Sequence, residues 1–179
     1  MKKILAFGAS NSSTSINQKL ARFASAQVAD SVTTLLDLKE FEMPLYSIDR
    51  QNESGFPQEA THFHALIKEH DGIIVSLAEH NHSYSAVFKN LIDWVSRIDG
   101  KFWQEKPILL LSTSPGARGA ANVMDAASRF FPFAGGKVVS SFSLPQFYEN
   151  FTEDGGISDP ELRDSFEGAL ILFAEALAQ

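Results

Sequence analysis

Short, nearly continuous apolar runs alternate with amphipathic segments along these 179 residues, and that rhythm restricts the fold more than any other feature. Ile4-Leu5-Ala6-Phe7, Ile73-Ile74-Val75-Ser76-Leu77 and Ile108-Leu109-Leu110-Leu111 read as strands buried on both faces, the habit of a parallel sheet. Val32 to Leu38 and Lys137 to Phe142 supply two further strands. Between them, Leu20, Phe23, Ala24 and Val28 share one helical face, as do Val87, Leu91, Trp94, Val95 and Ile98. Glu59 to His70, Val123 to Phe131 and Leu162 to Leu177 complete the helices, the last introduced by Ser158-Asp159-Pro160-Glu161. The order β-α-β-α-β-α-β-α-β-α predicts a doubly wound parallel sheet in one domain spanning residues 1–179. Glu42 to Pro57 is the longest connection and reads as irregular.

Several function classes drop out. With no cysteine, the chain has no thiolate nucleophile, disulfide, iron–sulfur cluster or Cys-ligated zinc. A net charge of −7 disfavours nucleic acid as a partner. No run approaches a membrane span, and Met1 to Phe7 is too brief for a secretory core, so a cytoplasmic protein is expected. The five histidines lack metal-like spacing, and no metal site is expected. His62, His64 and His70 read as solvated residues of a surface helix.

In a doubly wound sheet, ligands gather at the carboxyl ends of the strands, near the switch point. After Phe7 the chain reads Gly8-Ala9-Ser10-Asn11-Ser12-Ser13-Thr14-Ser15-Ile16-Asn17. A strand-to-helix junction rich in hydroxyls, amides and free backbone N–H groups suits a phosphate. A Walker loop would need a second Gly and a Lys, and a dinucleotide fingerprint three glycines; neither is here. Asp37 stands where such a fingerprint has its ribose-binding acid, but without the glycines it carries little weight. The plain reading, a turn plus a helix cap, accounts for one or two of these polar residues.

The second strand end carries Ala78-Glu79-His80-Asn81-His82-Ser83-Tyr84, then Lys89-Asn90-Leu91-Ile92-Asp93-Trp94. This resembles the P-E-Y-N-x-S-x-P-x-x-L-K-N-x-I-D-W pattern of the NAD(P)H-dependent flavin mononucleotide (FMN) reductase family. The first loop is similar to that family's G-S-x-R-x-x-S-x-N motif through Ser10, Ser15 and Asn17. The third, Ser112-Thr113-Ser114-Pro115-Gly116-Ala117-Arg118-Gly119-Ala120, is similar to its S-x-S-P-G-x-x-G-G segment. The resemblance implies a flavodoxin-like three-layer α/β/α sandwich whose five parallel strands lie in the order 2-1-3-4-5.

It further implies FMN as cofactor, with NADPH or NADH as hydride donor and a small-molecule electron acceptor (flavin, quinone or azo compound). Ser10, Ser12, Ser15, Ile16 and Asn17 would hold the phosphate. Glu79, His80, Asn81, His82 and Ser83 would border the ring, and Ser112, Ser114 and Gly116 would close its other side. No catalytic side-chain acid or base is implied, and a homodimer or homotetramer is. Departures from the pattern fall on the ring side and the phosphate loop: Ser12 replaces Arg, His80 replaces Tyr, His82 replaces a small residue often Gly, and Ala78 replaces Pro. The rival activity is a flavin-binding electron carrier or sensor without efficient turnover.

Some readings stay double. His80 is either a flavin contact or a plain loop histidine. Lys89 and Asp93 are either an exposed pair or part of a subunit interface, and Arg118 is solvated or meets an NADPH phosphate. Phe130-Phe131-Pro132-Phe133 and Trp103 belong to the core, an oligomer contact or the site wall, while Trp94 reads as core.

Overall fold

The computed structural model describes residues 1–179. Five parallel strands form one sheet: β1 (Lys2–Ala9), β2 (Ser31–Leu36), β3 (Gly72–Leu77), β6 (Pro107–Thr113) and β7 (Lys137–Leu144), in the order β2-β1-β3-β6-β7. Counting sheet strands alone, this is the expected 2-1-3-4-5 order of a flavodoxin-like fold. The apolar runs mark its inner strands: β3 is buried throughout, β1 from Ile4 onward and β6 from Ile108 onward. Helices cover both faces, which is why those strands show no polar alternation.

Helices α1 (Ile16–Ser25) and α7 (Pro160–Ala178) pack one face, through Leu20, Ala24, Phe166 and Phe173. Helices α3 (Gln58–Glu69), α4 (Ala86–Ile98) and α5 (Ala121–Phe133) pack the other, around Phe63, Phe88, Trp94 and Phe131. Trp94 and Trp103 are both core. The Phe-rich stretch divides, with Phe131 fully buried and Phe133 74% exposed. No helix is long and apolar enough to cross a membrane.

Two small hairpins lie outside the main sheet: β4 (Glu79–His80) with β5 (Ser83–Tyr84) and β8 (Phe151–Thr152) with β9 (Gly156–Ile157). A short helix, α6 (Phe147–Asn150), precedes β8.

Two expectations are corrected. The 42–57 connection is not wholly irregular: α2 (Ile48–Ser54) forms within it, its N-terminus capped by Ser47 Oγ, which accepts from Arg50 N–H at 3.2 Å. None of its residues is buried, so it leaves no apolar periodicity to read. The connection is fastened to α4 instead. Asn90 Oδ1 accepts from Tyr46 N–H (2.9 Å), Asn90 Nδ2 donates to the Met43 and Pro44 carbonyls, and Trp94 Nε1 donates to Pro44 O (2.8 Å). Lys89 and Asp93 form an ion pair at 2.7 Å on the outer side of the same helix.

The second correction concerns histidine. His70 is buried, with Nδ1 2.6 Å from Leu66 O and Nε2 2.8 Å from Thr34 Oγ1. A carbonyl can only accept, so we assign the proton to Nδ1, and the neutral ring accepts the Thr34 hydroxyl at Nε2. The ring thereby ties the end of α3 to the edge strand β2. His64 is half-buried, 3.6 Å from Asp99 Oδ2.

Candidate functional site

The first loop is shaped by contact between backbones. A Cβ on Gly8 would lie 2.4 Å from Gln18 N and 2.7 Å from Asn17 C, so only glycine lets α1 begin this close to β1. Gln18 fastens the junction: its Oε1 accepts from Gly8 N–H (2.6 Å) and its Nε2 donates to Leu36 O (2.8 Å) on β2. Ser15 is the N-cap, accepting from Gln18 N–H at 3.1 Å. Ser10 Oγ accepts from Ser12 N–H (3.2 Å) and Ser12 Oγ from Thr14 N–H (3.3 Å). The hydroxyls of Ser12, Ser13 and Thr14 stand at the surface, above the positive end of α1.

Asn17 is a brace. Its Oδ1 accepts from Ser76 Oγ (2.7 Å) and Thr113 N–H (3.1 Å), while Nδ2 donates to Thr113 O (3.1 Å), all buried. One amide thus links α1 to β3 and β6 directly beneath the strand ends. Its backbone N–H, in the first turn, has no intrahelical acceptor and is the part free for a ligand.

The second loop is a hairpin. Asn81 (φ 51°) and His82 (φ 64°) are both left-handed at the tip joining β4 to β5, the type I′ turn that suits twisted strands. Asn tolerates this conformation readily and His less so, and glycine is the usual second residue. His82→Gly is therefore expected to stabilise the fold by about 0.5–1 kcal/mol after the cost of added chain freedom, raising Tm by roughly 1–4 °C in a thermal melt. A lower Tm would mean that the side chain of His82, 2.7 Å from Asn122 Nδ2, is worth more than the strain.

Glu79 turns toward α5. That helix starts after Ala120, itself left-handed (φ 66°) and without a side-chain cap. The Glu79 carboxylate acts instead: Oε2 accepts from Val123 N–H (2.9 Å) and Oε1 from Asn122 Nδ2 (3.1 Å). Burial pushes the carboxyl up, but the Val123 N–H, the Asn122 donors and nearby His82 outweigh it, and the net direction is below the ordinary value. Glu79 is ionised and occupied, so it is no proton donor.

The third loop is held from below. Ser112 Oγ donates to Gly119 O (2.7 Å) and lies 2.5 Å from Ser143 Oγ, fully buried. Its hydroxyl is a brace and is not on the cavity wall. Gly116 O accepts from Gln146 N–H and Ser114 O from Phe147 N–H, hanging the loop on the chain after β7. Arg118 is exposed and donates to Asn122 Oδ1 at 3.1 Å.

These strand ends surround a cavity of about 240 Å³. Ser10, Ser12, Ser15, Ile16, Asn17, Glu79, His80 and Ser114 line it. Asn81, His82, Ser83 and Gly116 lie outside that lining, on the hairpin and the third loop. Thr14, Ala78, Thr113, Pro115 and Tyr148 also line the cavity, outside the residues expected from the motifs. Thr14 belonged to the same hydroxyl run, whereas Tyr148 comes from α6, which has no periodic signal. A larger cavity of about 470 Å³ lies on the outer side of α1, lined by Ser13, Lys19, Arg22, Phe23 and Phe151 among others; the other two strand ends do not reach it. No group of three or more His, Asp or Glu side chains is placed to hold a metal ion.

A doubly wound sheet of this order, with three polar loops meeting where the connections from β1 and β3 leave for opposite faces, defines a flavodoxin-like protein with its ligand cavity at the switch point. Residues 2–149 match the NADPH-dependent FMN reductase family, and the chain belongs to it. It is thus an enzyme of the NAD(P)H-dependent flavin and quinone reductases. A quinone reductase of Escherichia coli (strain K12) is 29% identical over 140 residues, covering 75% of this chain and 73% of its own. A 2-hydroxy-1,4-benzoquinone reductase of Burkholderia sp. is 38% identical over 109 residues, 60% of this chain and 57% of that one. The structure of a flavoenzyme NAD(P)H:(acceptor) oxidoreductase from Paracoccus denitrificans superposes with a TM-score of 0.78 at 24% identity, covering 99% of this chain and 98% of that one. At that identity the likeness is one of fold.

Proposed function

We propose that residues 1–179 form one FMN-binding domain that passes electrons from NADPH or NADH to a small quinone, flavin or azo acceptor, donor and acceptor reacting in turn. The observation that carries this reading is the donor set at the cavity. Serine and threonine hydroxyls and first-turn N–H groups of α1 face it, and its one lining carboxylate, Glu79, is bound to α5. Such donors fit a phosphate dianion. The volume is below the ~300 Å³ at which pockets enclose a small ligand, which supports a ring held at the surface along residues 79–83, open to a second substrate.

Bound FMN supplies the redox chemistry, accepting hydride from the nicotinamide and releasing electrons to the acceptor. The protein binds and orients. Ser10, Ser12, Thr14 and the N–H groups of Ile16 and Asn17 take the phosphate. His80 and the turn at Asn81-His82 border the ring, and Ser114 with Gly116 limits its far side. Asn17, Ser112 and Glu79 act one step back, holding those groups in position.

The test is a flavin titration followed by anaerobic reduction. FMN should bind at micromolar concentration with altered fluorescence, riboflavin at least tenfold more weakly, and NADPH or NADH should bleach the bound flavin within seconds to minutes. Absence of FMN binding would overturn the proposal. Equal affinity for riboflavin would move the phosphate off the first loop, and bound flavin that neither nucleotide reduces would leave an electron carrier.

A further inference from the structure

The family motif places an arginine in the first loop where this chain has Ser12, so the loop itself brings no positive charge to a phosphate. Three cations nevertheless surround it. Lys19 is taken by Glu153 (2.6 Å) and Lys39 by Asp37 (3.1 Å). Arg22 makes no ion pair or side-chain hydrogen bond. Arg22 lines a cavity of about 230 Å³ whose wall includes Ser10, Ser12 and Ser13, the same loop seen from its other side, together with the Asp37–Lys39 pair. It also lines the larger outer cavity beside Ser13 and Ser15.

The placement follows from helix geometry. Arg22 lies one turn after Gln18 on the same face of α1, and Gln18 already reaches the loop at Gly8. Helical side chains lean toward the N-terminus, so a long Arg at this position is directed back under residues 10–13. Glu153 is the carboxylate that feels Arg22, but Lys19 already neutralises it. The charge of Arg22 is therefore available to the loop.

We propose that Arg22 takes the place of the missing loop arginine, supplying from the second turn of α1 the positive charge that makes the first loop select a phosphorylated flavin over an unphosphorylated one. This rests on the FMN reading above and adds the residue that sets its phosphate preference. Because the guanidinium is exposed, salt screens it, and the effect is moderate.

The experiment is a fluorescence titration of the purified full chain with FMN and with riboflavin, in low and in high salt. Arg22→Gln should weaken FMN roughly three- to tenfold in low salt and leave riboflavin unchanged. The difference from the unsubstituted protein should shrink in high salt. Lys19→Gln combined with Glu153→Gln, which removes a paired cation together with its carboxylate, should leave FMN affinity as it was. Restoring the family residue in the loop, Ser12→Arg with Arg22→Gln, should recover FMN affinity. An Arg22→Gln protein that binds FMN as tightly as the unsubstituted chain would overturn this inference while leaving the FMN site intact. Parallel loss of both ligands would overturn it too, because Arg22 would then be supporting the loop's shape. Failure of the unsubstituted chain to bind FMN is a different result and removes the reading beneath it.

Discussion

Asn17→Ala is expected to destabilise the flavin-free protein by about 3–4 kcal/mol, lowering Tm by roughly 6–16 °C, although the residue lies in a ligand-binding motif. The side chain makes three buried bonds, two to the backbone of Thr113 and one to Ser76 Oγ. Truncation leaves the Thr113 N–H and the Ser76 hydroxyl without partners beneath the cavity, each costing about 1–3 kcal/mol unless water enters. A residue that served only to bind phosphate would behave otherwise, changing affinity and leaving the Tm of the flavin-free protein alone. Thermal unfolding of that form separates the two roles, and an unchanged Tm would refute the brace. Asn17→Asp should fare no better, because it sets a buried carboxylate oxygen against the Thr113 carbonyl.

Gly8→Ala has the other large expected effect. The added methyl meets main-chain atoms of Asn17 and Gln18 at 2.4–2.7 Å, and a backbone cannot swing aside as a long side chain does. Either α1 moves off β1 or the strand end twists. Both outcomes break the Gly8–Gln18 bond and open the apolar contacts of Leu20 and Ala24 below. The cost is about 3 kcal/mol or more, with Tm lower by at least roughly 6 °C. FMN affinity should fall with it, since the loop hydroxyls hang from this junction. A variant that melts and binds FMN as the unsubstituted chain does would show that α1 is free to shift.

These two residues also mark how far the sequence could be read. The sheet was legible because β1, β3 and β6 are covered on both faces and therefore apolar in unbroken runs. The three strand ends followed, and with them the cavity's position. What stayed hidden lacked a local signature. The partners of Asn17 lie 59 and 96 residues away, and Thr34, which holds His70, lies 36 away. The hairpin has two-residue strands and Asn-His at its tip, so neither alternation nor an Asn-Gly turn signals it. Helix α2 buries nothing and has no apolar face to detect. The family pattern implies ligand contacts at Ser112 and Glu79. Their side chains brace the third loop and α5, a distinction visible only when the partner atoms are in place.

The three bonds of Asn17 carry a consequence for how such a chain diverges. They lock the floor of the cavity from beneath, whereas the hairpin and the third loop are attached along their own rims. Floor and wall can therefore accumulate substitutions independently. A lineage can trade Tyr for His at position 80, or Gly for His at position 82, at the expense of one exposed turn. The same drift at position 17 would undo the joint between α1 and two strands. Acceptor range is then the part of this architecture that evolution can revise one residue at a time, and the anchorage beneath is the part it inherits whole.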